Sequence, residues 1–217
     1  MEINMKKYKI TGGVYLVIDP SMPLQELLQK LKEVLREKIS AVQIWDNWTN
    51  ALNKEKIIID ICELCHRYEV GVLINNSWDL LSIMPLDGVH FDTIPKNYNQ
   101  IKQTLKESFI AGITCNNDLS IIKWANENEL DYVSFCSIFS SVTSNSCDLV
   151  SFETIRQARQ ITTLPIFLAG GIRPDNMYQL QGLDFDGVAV ISGIMNAGQP
   201  AQTTQEYLQL MKKINEN

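Results

Sequence analysis

The sequence contains no apolar run approaching the roughly 18 residues that a membrane-spanning helix requires. Met1 to Thr11 is polar and mildly basic, without the apolar stretch of a signal peptide, so a cytoplasmic protein is expected. Lysine and arginine are scattered, and 19 of them against 25 acidic residues leave a net charge of −6. That balance excludes the electrostatic footprint of a nucleic-acid-binding protein and offers nothing to an anionic membrane surface. Five cysteines among 217 residues are too few, and of the wrong parity, for a disulfide framework. No Pro/Gly/Ser-rich linker or charge block divides the chain, so residues 1–217 are expected to form one domain, with 1–11 as an N-terminal extension. The run Cys62-Glu63-Leu64-Cys65-His66 has the spacing of a haem c attachment site. It lies inside a helical pattern and no export signal precedes it, so Cys65 is assigned to the core.

What is present is a recurring unit: a short β-branched run, polar punctuation, then an amphipathic helical pattern. The runs are Val14–Ile18, Ala41–Ile44, Val70–Ile74, Gly88–Phe91, Ile110–Thr114, Tyr132–Phe135, Ile166–Ala169 and Gly187–Ile191. They are short and uniformly apolar, as strands buried on both faces must be. Leu24, Leu27, Leu28, Leu31, Val34 and Leu35 mark one buried helical face, and Ile57, Ile58, Ile61, Cys62 and Cys65 mark another. Shorter patterns surround Ile121–Ala125, Ile155–Ala158, Met177–Leu180 and Tyr207–Met211, with the weakest between Pro95 and Leu105.

Such alternation fits either a doubly wound sheet or a closed (β/α)₈ TIM barrel. The first strand is followed by Asp19-Pro20-Ser21-Met22-Pro23, which lacks the glycines of a dinucleotide-binding turn. The barrel is therefore the expected fold.

In a barrel of this kind the functional groups lie at the C-terminal ends of the strands. Those positions hold Asp19, Gln43, Trp45, Asp46, Asn47, Asn75, Asn76, His90, Asp92, Thr114, Cys115, Ser137, Gly170, Gly171, Ser192 and Gly193. Gly170-Gly171 after strand seven and Ile191-Ser192-Gly193 after strand eight have the spacing of a main-chain phosphate cradle, although Gly170-Gly171 alone is equally a tight turn. The hydroxyl-rich run from Ser140 to Asn145, with Ser141 and Thr143, is either a further set of anion donors or a solvated loop. His90 lies in a strand-like run and reads first as a structural histidine. Trp45 and Trp48 flank the mouth, as stacking surfaces or as space-fillers.

Five segments resemble the thiamine phosphate synthase family, in its order and spacing from about residue 12 to the C-terminal helix. They are Gly13–Val17, Val70–Asn75, Asp87–His90, Ala169–Asn176 and Asp186–Ser192. The related thiazole tautomerases share most of them. The resemblance implies a reaction joining a pyrimidine-methyl pyrophosphate to a thiazole phosphate, with Mg²⁺ and cationic side chains drawing charge off the departing pyrophosphate. It implies site roles for Gln43, Asn75, Ser141, Thr143, Gly170, Gly171, Ile191 and Ser192, with Asp46, Asp92 or other groups as candidates for a rearranged metal site. The family's Gln, apolar, Arg, acidic, Lys run is Gln43-Ile44-Trp45-Asp46-Asn47 here, so both cations are replaced. Its Asn-Asp pair is Asn75-Asn76, and Asp92 lies near its second metal Asp but out of register. Its Thr-Pro-Thr-Lys run ends in Ser144, and the tautomerase histidine is Asn116. Each charge-assisted contact is worth about 1.5–3 kcal/mol, so three lost cations imply a synthase at least about a thousandfold weaker. Three readings follow: a divergent synthase, a non-catalytic barrel that binds a thiazole phosphate or another phosphorylated ligand beside an active paralogue, or another phosphate-handling enzyme using Asp19, Asp46, Asp92, Cys115 or His90. A homo-oligomer is left open.

Overall fold

A computed structural model describes residues 8–49, 53–105, 109–140 and 148–215. Its strands are β1 (Gly13–Ile18), β2 (Ala41–Ile44), β3 (Val72–Asn75), β4 (Gly88–Phe91), β5 (Ile110–Thr114), β6 (Tyr132–Cys136), β7 (Ile166–Ala169) and β8 (Gly187–Val190). All neighbours are parallel and in chain order, and β8 pairs back onto β1, with Gly13 opposite Gly187. The expected barrel is closed. The eighth strand stops at Val190 because Ile191, with φ −107° and ψ −92°, turns the chain into a short helix.

The helices are α1 (Leu24–Val34), α2 (Lys54–Arg67), α3 (Tyr98–Leu105), α4 (Leu119–Glu127), α5 (Phe152–Ile161), α6 (Ser192–Met195) and α7 (Pro200–Asn215). The Met177–Leu180 pattern forms only a 3₁₀ turn, since Pro174 before it and Gly182 after it leave room for little more. The β3–β4 connection is likewise a 3₁₀ turn, Trp78–Ser82. No helix among the described residues is long and apolar enough to cross a membrane. Cys62 and Cys65 are buried on α2, as expected for core residues.

Successive strand residues point to opposite faces, and this period of two divides the core. Val14, Leu16, Ile18, Val42, Ile44, Val72 and Ile74 pack outward against the helices. Tyr15, Val17, Ala41, Leu73, Ile110, Tyr132 and Phe167 fill the interior. Space for the rings is made by glycine: a Cβ on Gly112 would lie 2.0 Å from the Tyr132 ring, and one on Gly187 2.2 Å from Phe167.

The opposite end of the barrel is closed by a repeated device. Asp87, Asp131 and Asp186 immediately precede β4, β6 and β8, and each carboxylate accepts from the backbone N–H at the start of the preceding strand. The donors are Val72, Ala111 and Ile166, at 2.7, 2.9 and 2.8 Å. The main-chain N–H of each Asp donates back to the carbonyl of the same residue, which makes a two-bond ring. Asp186 also pairs with Arg159. Asp186→Ala strands a buried N–H and a half-buried guanidinium together. It should lower stability by about 2–4 kcal/mol in denaturant unfolding, with ligand binding at the far end of the barrel unchanged.

Candidate active site

The C-terminal ends of the strands open onto a polar floor. Gln43, Asn75 and His90 are buried there, at 6%, 3% and 6% exposure, where an unpaired polar group would be costly. They satisfy one another. Gln43 Nε2 donates to Asn75 Oδ1 at 2.5 Å, and Asn75 Nδ2 donates to Asp92 Oδ2 at 2.9 Å. On the other side the Tyr15 hydroxyl donates to Gln43 Oε1 at 3.0 Å and meets the Tyr132 hydroxyl at 2.8 Å. His90 Nδ1 lies 2.8 Å from the Tyr132 hydroxyl, His90 Nε2 lies 2.9 Å from Thr114 Oγ1, and Thr114 Oγ1 lies 3.2 Å from Ser134 Oγ. The result is one hydrogen-bonded chain through every strand from β1 to β6.

Burial lowers the His90 pKa to about 4, with the Asp92 charge opposing the shift, so the ring is neutral near pH 7. Both ring nitrogens are bonded inside the barrel, in keeping with a structural histidine. Burial likewise raises the Tyr15 and Tyr132 hydroxyls well above their ordinary range and keeps them protonated. The Cys115 thiol is pushed up to about 12, chiefly by burial, and is no nucleophile at neutral pH.

At the rim, Asn76 takes a left-handed conformation with φ 54°, which asparagine tolerates better than most side chains. That turn aims its Nδ2 at Asp92 Oδ2, 2.8 Å away, while its Oδ1 accepts from Asp92 N at 3.0 Å. Two amide N–H groups therefore converge on the one carboxylate oxygen. Among the described residues no three His, Cys, Asp or Glu side chains gather to hold a cation. The amides beside Asp92 turn their N–H ends towards it, an arrangement that repels a cation. This set does not fit a resident Mg²⁺, and its single carboxylate suits only an ion that arrives already bound to a polyphosphate.

The turns expected from sequence to form a phosphate cradle lie side by side, because β7 pairs with β8 with Ala169 opposite Ala189. Gly170 and Gly171 have φ of 89° and 66°, a conformation that glycine adopts without strain. The Gly170 carbonyl is taken by Phe139 N at 3.0 Å and that of Gly171 by Asn176 Nδ2 at 2.8 Å, so neither is left to oppose an anion. Across from them Ser192 and Gly193 open α6. Gly193 sits so close to Tyr207 that a Cβ would lie 2.5 Å from its hydroxyl, which donates to Ile172 O at 2.9 Å. Tyr207 thereby ties the last helix to the strand-seven loop. Beside this corner a cleft of about 350 Å³ is lined by Asp19, Met22, Trp45, Ile191, Ser192 and Asn196, among others. Asp19 accepts from Ser21 N and Asn47 Nδ2. Trp48 stands outside the cleft, its ring 4.6 Å beneath Lys54 Nζ. Ser141 and Thr143 lie outside the described residues, as does the rest of 141–147.

Cations are scarce on this face. Between the strand ends and the helices that follow them, the sequence places only Lys96 and Arg173, against Asp19, Asp46, Asp92, Asp118, Asp148 and Asp175. Arg173 is itself paired with Asp175 at 3.0 Å. Tyr15, Tyr132 and Ser134 were not among the sequence candidates, since they lie below the strand ends. Their inward positions could have been found from the period of two, because Tyr15 and Gln43, or Tyr132 and Ser134, face the same side as the polar floor.

These features define a (β/α)₈ barrel with a hydroxyl- and amide-lined mouth and a paired strand-seven and strand-eight turn. The model of the thiamine monophosphate synthase family (TMP-TENI) matches residues 14–194, and the chain belongs to that family. The thiamine-phosphate synthase of Clostridium perfringens (strain 13) is 28% identical over 97% of this chain and its own full length. That of Alcanivorax borkumensis is 30% identical over 84% of both chains. Thiamine phosphate pyrophosphorylase from Pyrococcus furiosus superposes with a TM-score of 0.78, at 21% identity over 96% of this chain and 98% of its own.

Two outcomes test this account. Asn76→Asp would set a second carboxylate against Asp92. It should lower the melting temperature, with Mg²⁺ restoring what was lost, whereas the melting of the unaltered protein should not respond to Mg²⁺. The pH profile should peak near the unperturbed histidine value of about 6.5. His90, with its depressed pKa, contributes stability that is present above that value and is lost as pH falls towards about 4, by about 3 kcal/mol. His66, whose pKa is raised by its hydrogen bond to Asp87, contributes stability that is complete below 6.5 and is lost as pH rises through its folded value. Urea unfolding across this range should show both limbs, and His66→Gln should flatten the alkaline one alone.

Proposed function

We propose that this protein is a thiamine phosphate synthase that couples a hydroxymethylpyrimidine pyrophosphate to a thiazole phosphate. In that reaction the methylene–oxygen bond breaks and pyrophosphate leaves with the electron pair. The thiazole nitrogen then supplies the pair that forms the new carbon–nitrogen bond, and no protein nucleophile takes part. The observation that carries the reading is the family match across residues 14–194, on a barrel whose strand-seven and strand-eight turns stand in adjacent register.

The main-chain N–H groups about Gly171, Ile191 and Ser192 would hold the thiazole phosphate, assisted by the hydroxyls of Ser141 and Thr143. Gln43 and Asn75 would orient the pyrimidine ring, for their amides retain hydrogen-bonding capacity beyond the bonds they make to each other. Preorganised dipoles of this kind stabilise developing charge without reorganisation. Mg²⁺ would enter as part of the pyrophosphate substrate, onto a face that carries the carboxylates of Asp19, Asp46 and Asp92. The scarcity of cations at the mouth favours slow turnover, because the leaving group must shed its charge onto neutral donors.

The test supplies both substrates with Mg²⁺ and follows thiamine phosphate. Product well above a protein-free control supports the reading. No product from folded protein that still binds thiazole phosphate in calorimetry would favour the non-catalytic binding barrel instead. Ser192→Asp places like charge in the cradle and should raise KM for the thiazole phosphate about tenfold or more, with the KM of the other substrate little changed.

A further inference from the structure

The hydrogen-bonded chain of the barrel interior has a direction, and its rim end sets it. An ionised Asp92 only accepts, so Asn75 must turn Nδ2 to it and Oδ1 to Gln43. Gln43 must then give Nε2 to Asn75 and leave Oε1 for Tyr15, whose single hydroxyl hydrogen is thereby committed. The Tyr15 oxygen can only accept from Tyr132, which spends that hydrogen too. His90 Nδ1 must therefore carry the proton donated to Tyr132, and the Nε2 of the neutral ring must accept from Thr114. Thr114 in turn accepts from Ser134. Reversal at any one link sets two hydrogens or two lone pairs face to face in a buried site.

We infer that Asp92 is a positioning residue: its carboxylate fixes the donor sense of the whole interior chain, and with it the Nδ1–H form of His90 and the amide faces that Gln43 and Asn75 turn to a ligand. Asn76 holds the carboxylate in place by its reciprocal pair of bonds. The effect is carried from an exposed rim residue to a buried ring on the adjoining strand by way of β3, β2, β1 and β6, through contiguous side chains with two discrete arrangements. It belongs to the resting protein and stands whether or not product forms.

The experiment is ¹⁵N NMR of the imidazoles in the intact chain. There are only two histidines, and His66→Gln assigns the pair. In the unaltered protein near pH 7, His90 should show a protonated Nδ1 and an unprotonated Nε2, with a preference of about tenfold or more. Asp92→Asn removes the obligate acceptor and should yield a mixture of both forms, while Asp92→Glu should restore the single one. Tyr15→Phe cuts the chain between rim and ring and should release the preference with Asp92 intact, which also serves if Asp92→Asn fails to fold. A protonated Nε2 in the unaltered protein overturns the inference. So does an undiminished Nδ1–H preference in Asp92→Asn or in Tyr15→Phe.

Discussion

The polar interior of this barrel depends on the carboxylate of Asp92 and on the amides that meet it. Asn75 and Asn76 both donate to the same oxygen, and from Asn75 the hydrogen bonds run inward without a gap to Ser134. A buried polar network is tolerated only when every member is satisfied, since a partly satisfied one is worse than an apolar core. Here the hydroxyls, amides and imidazole each find partners on neighbouring strands. The glycine at 112 leaves the Tyr132 ring room to join them. Chemistry at the mouth therefore rests on a floor whose orientation is already decided.

Charge at the mouth departs from the pattern that the family resemblance implies. With Asn at 76, two amide N–H groups meet the carboxylate of Asp92. With Trp45 and Asn47 in place of cations, the neighbouring cleft is bounded by Asp19 and an indole. Against the expected family pattern, Trp45 and Asn47 stand in place of two cations, whereas Asn76 stands in place of an anion. The corner formed by the strand-seven and strand-eight turns contains none of these replaced side chains. Tyr207 and Asn176 hold it from behind. Measured against the expected family pattern, the chain keeps the glycine-containing turns after β7 and β8 and lacks the side-chain cations after β2.

The fold was legible in the β-branched runs because strands buried on both faces leave no other composition. Errors fell at the ends: Ile191 is apolar enough to continue a strand, yet its backbone has already turned into α6. The Met177–Leu180 pattern has helical spacing and forms a single turn, because spacing reports which face is buried and not how many turns the flanking residues permit. At the site, Gln43, Asn75 and His90 were visible as polar residues in apolar strands. Tyr15 and Tyr132 were not, because a tyrosine in a strand is unremarkable until its hydroxyl is seen to lack water.

By itself the sequence supported eight buried strands and favoured a barrel over a doubly wound sheet, and it showed few cations between the strand ends and the helices that follow. Each of these follows from local composition and order, which the chain carries whatever its shape. Only the tertiary structure decided that Asp92 is met by two amide N–H groups, that the Gly170 and Gly171 carbonyls are taken by Phe139 and Asn176, and that one hydrogen-bonded chain joins β1 to β6. Those facts depend on which side chains from distant strands arrive at the same depth in the barrel. That depth is fixed by strand register and closure, and no local stretch of sequence contains it.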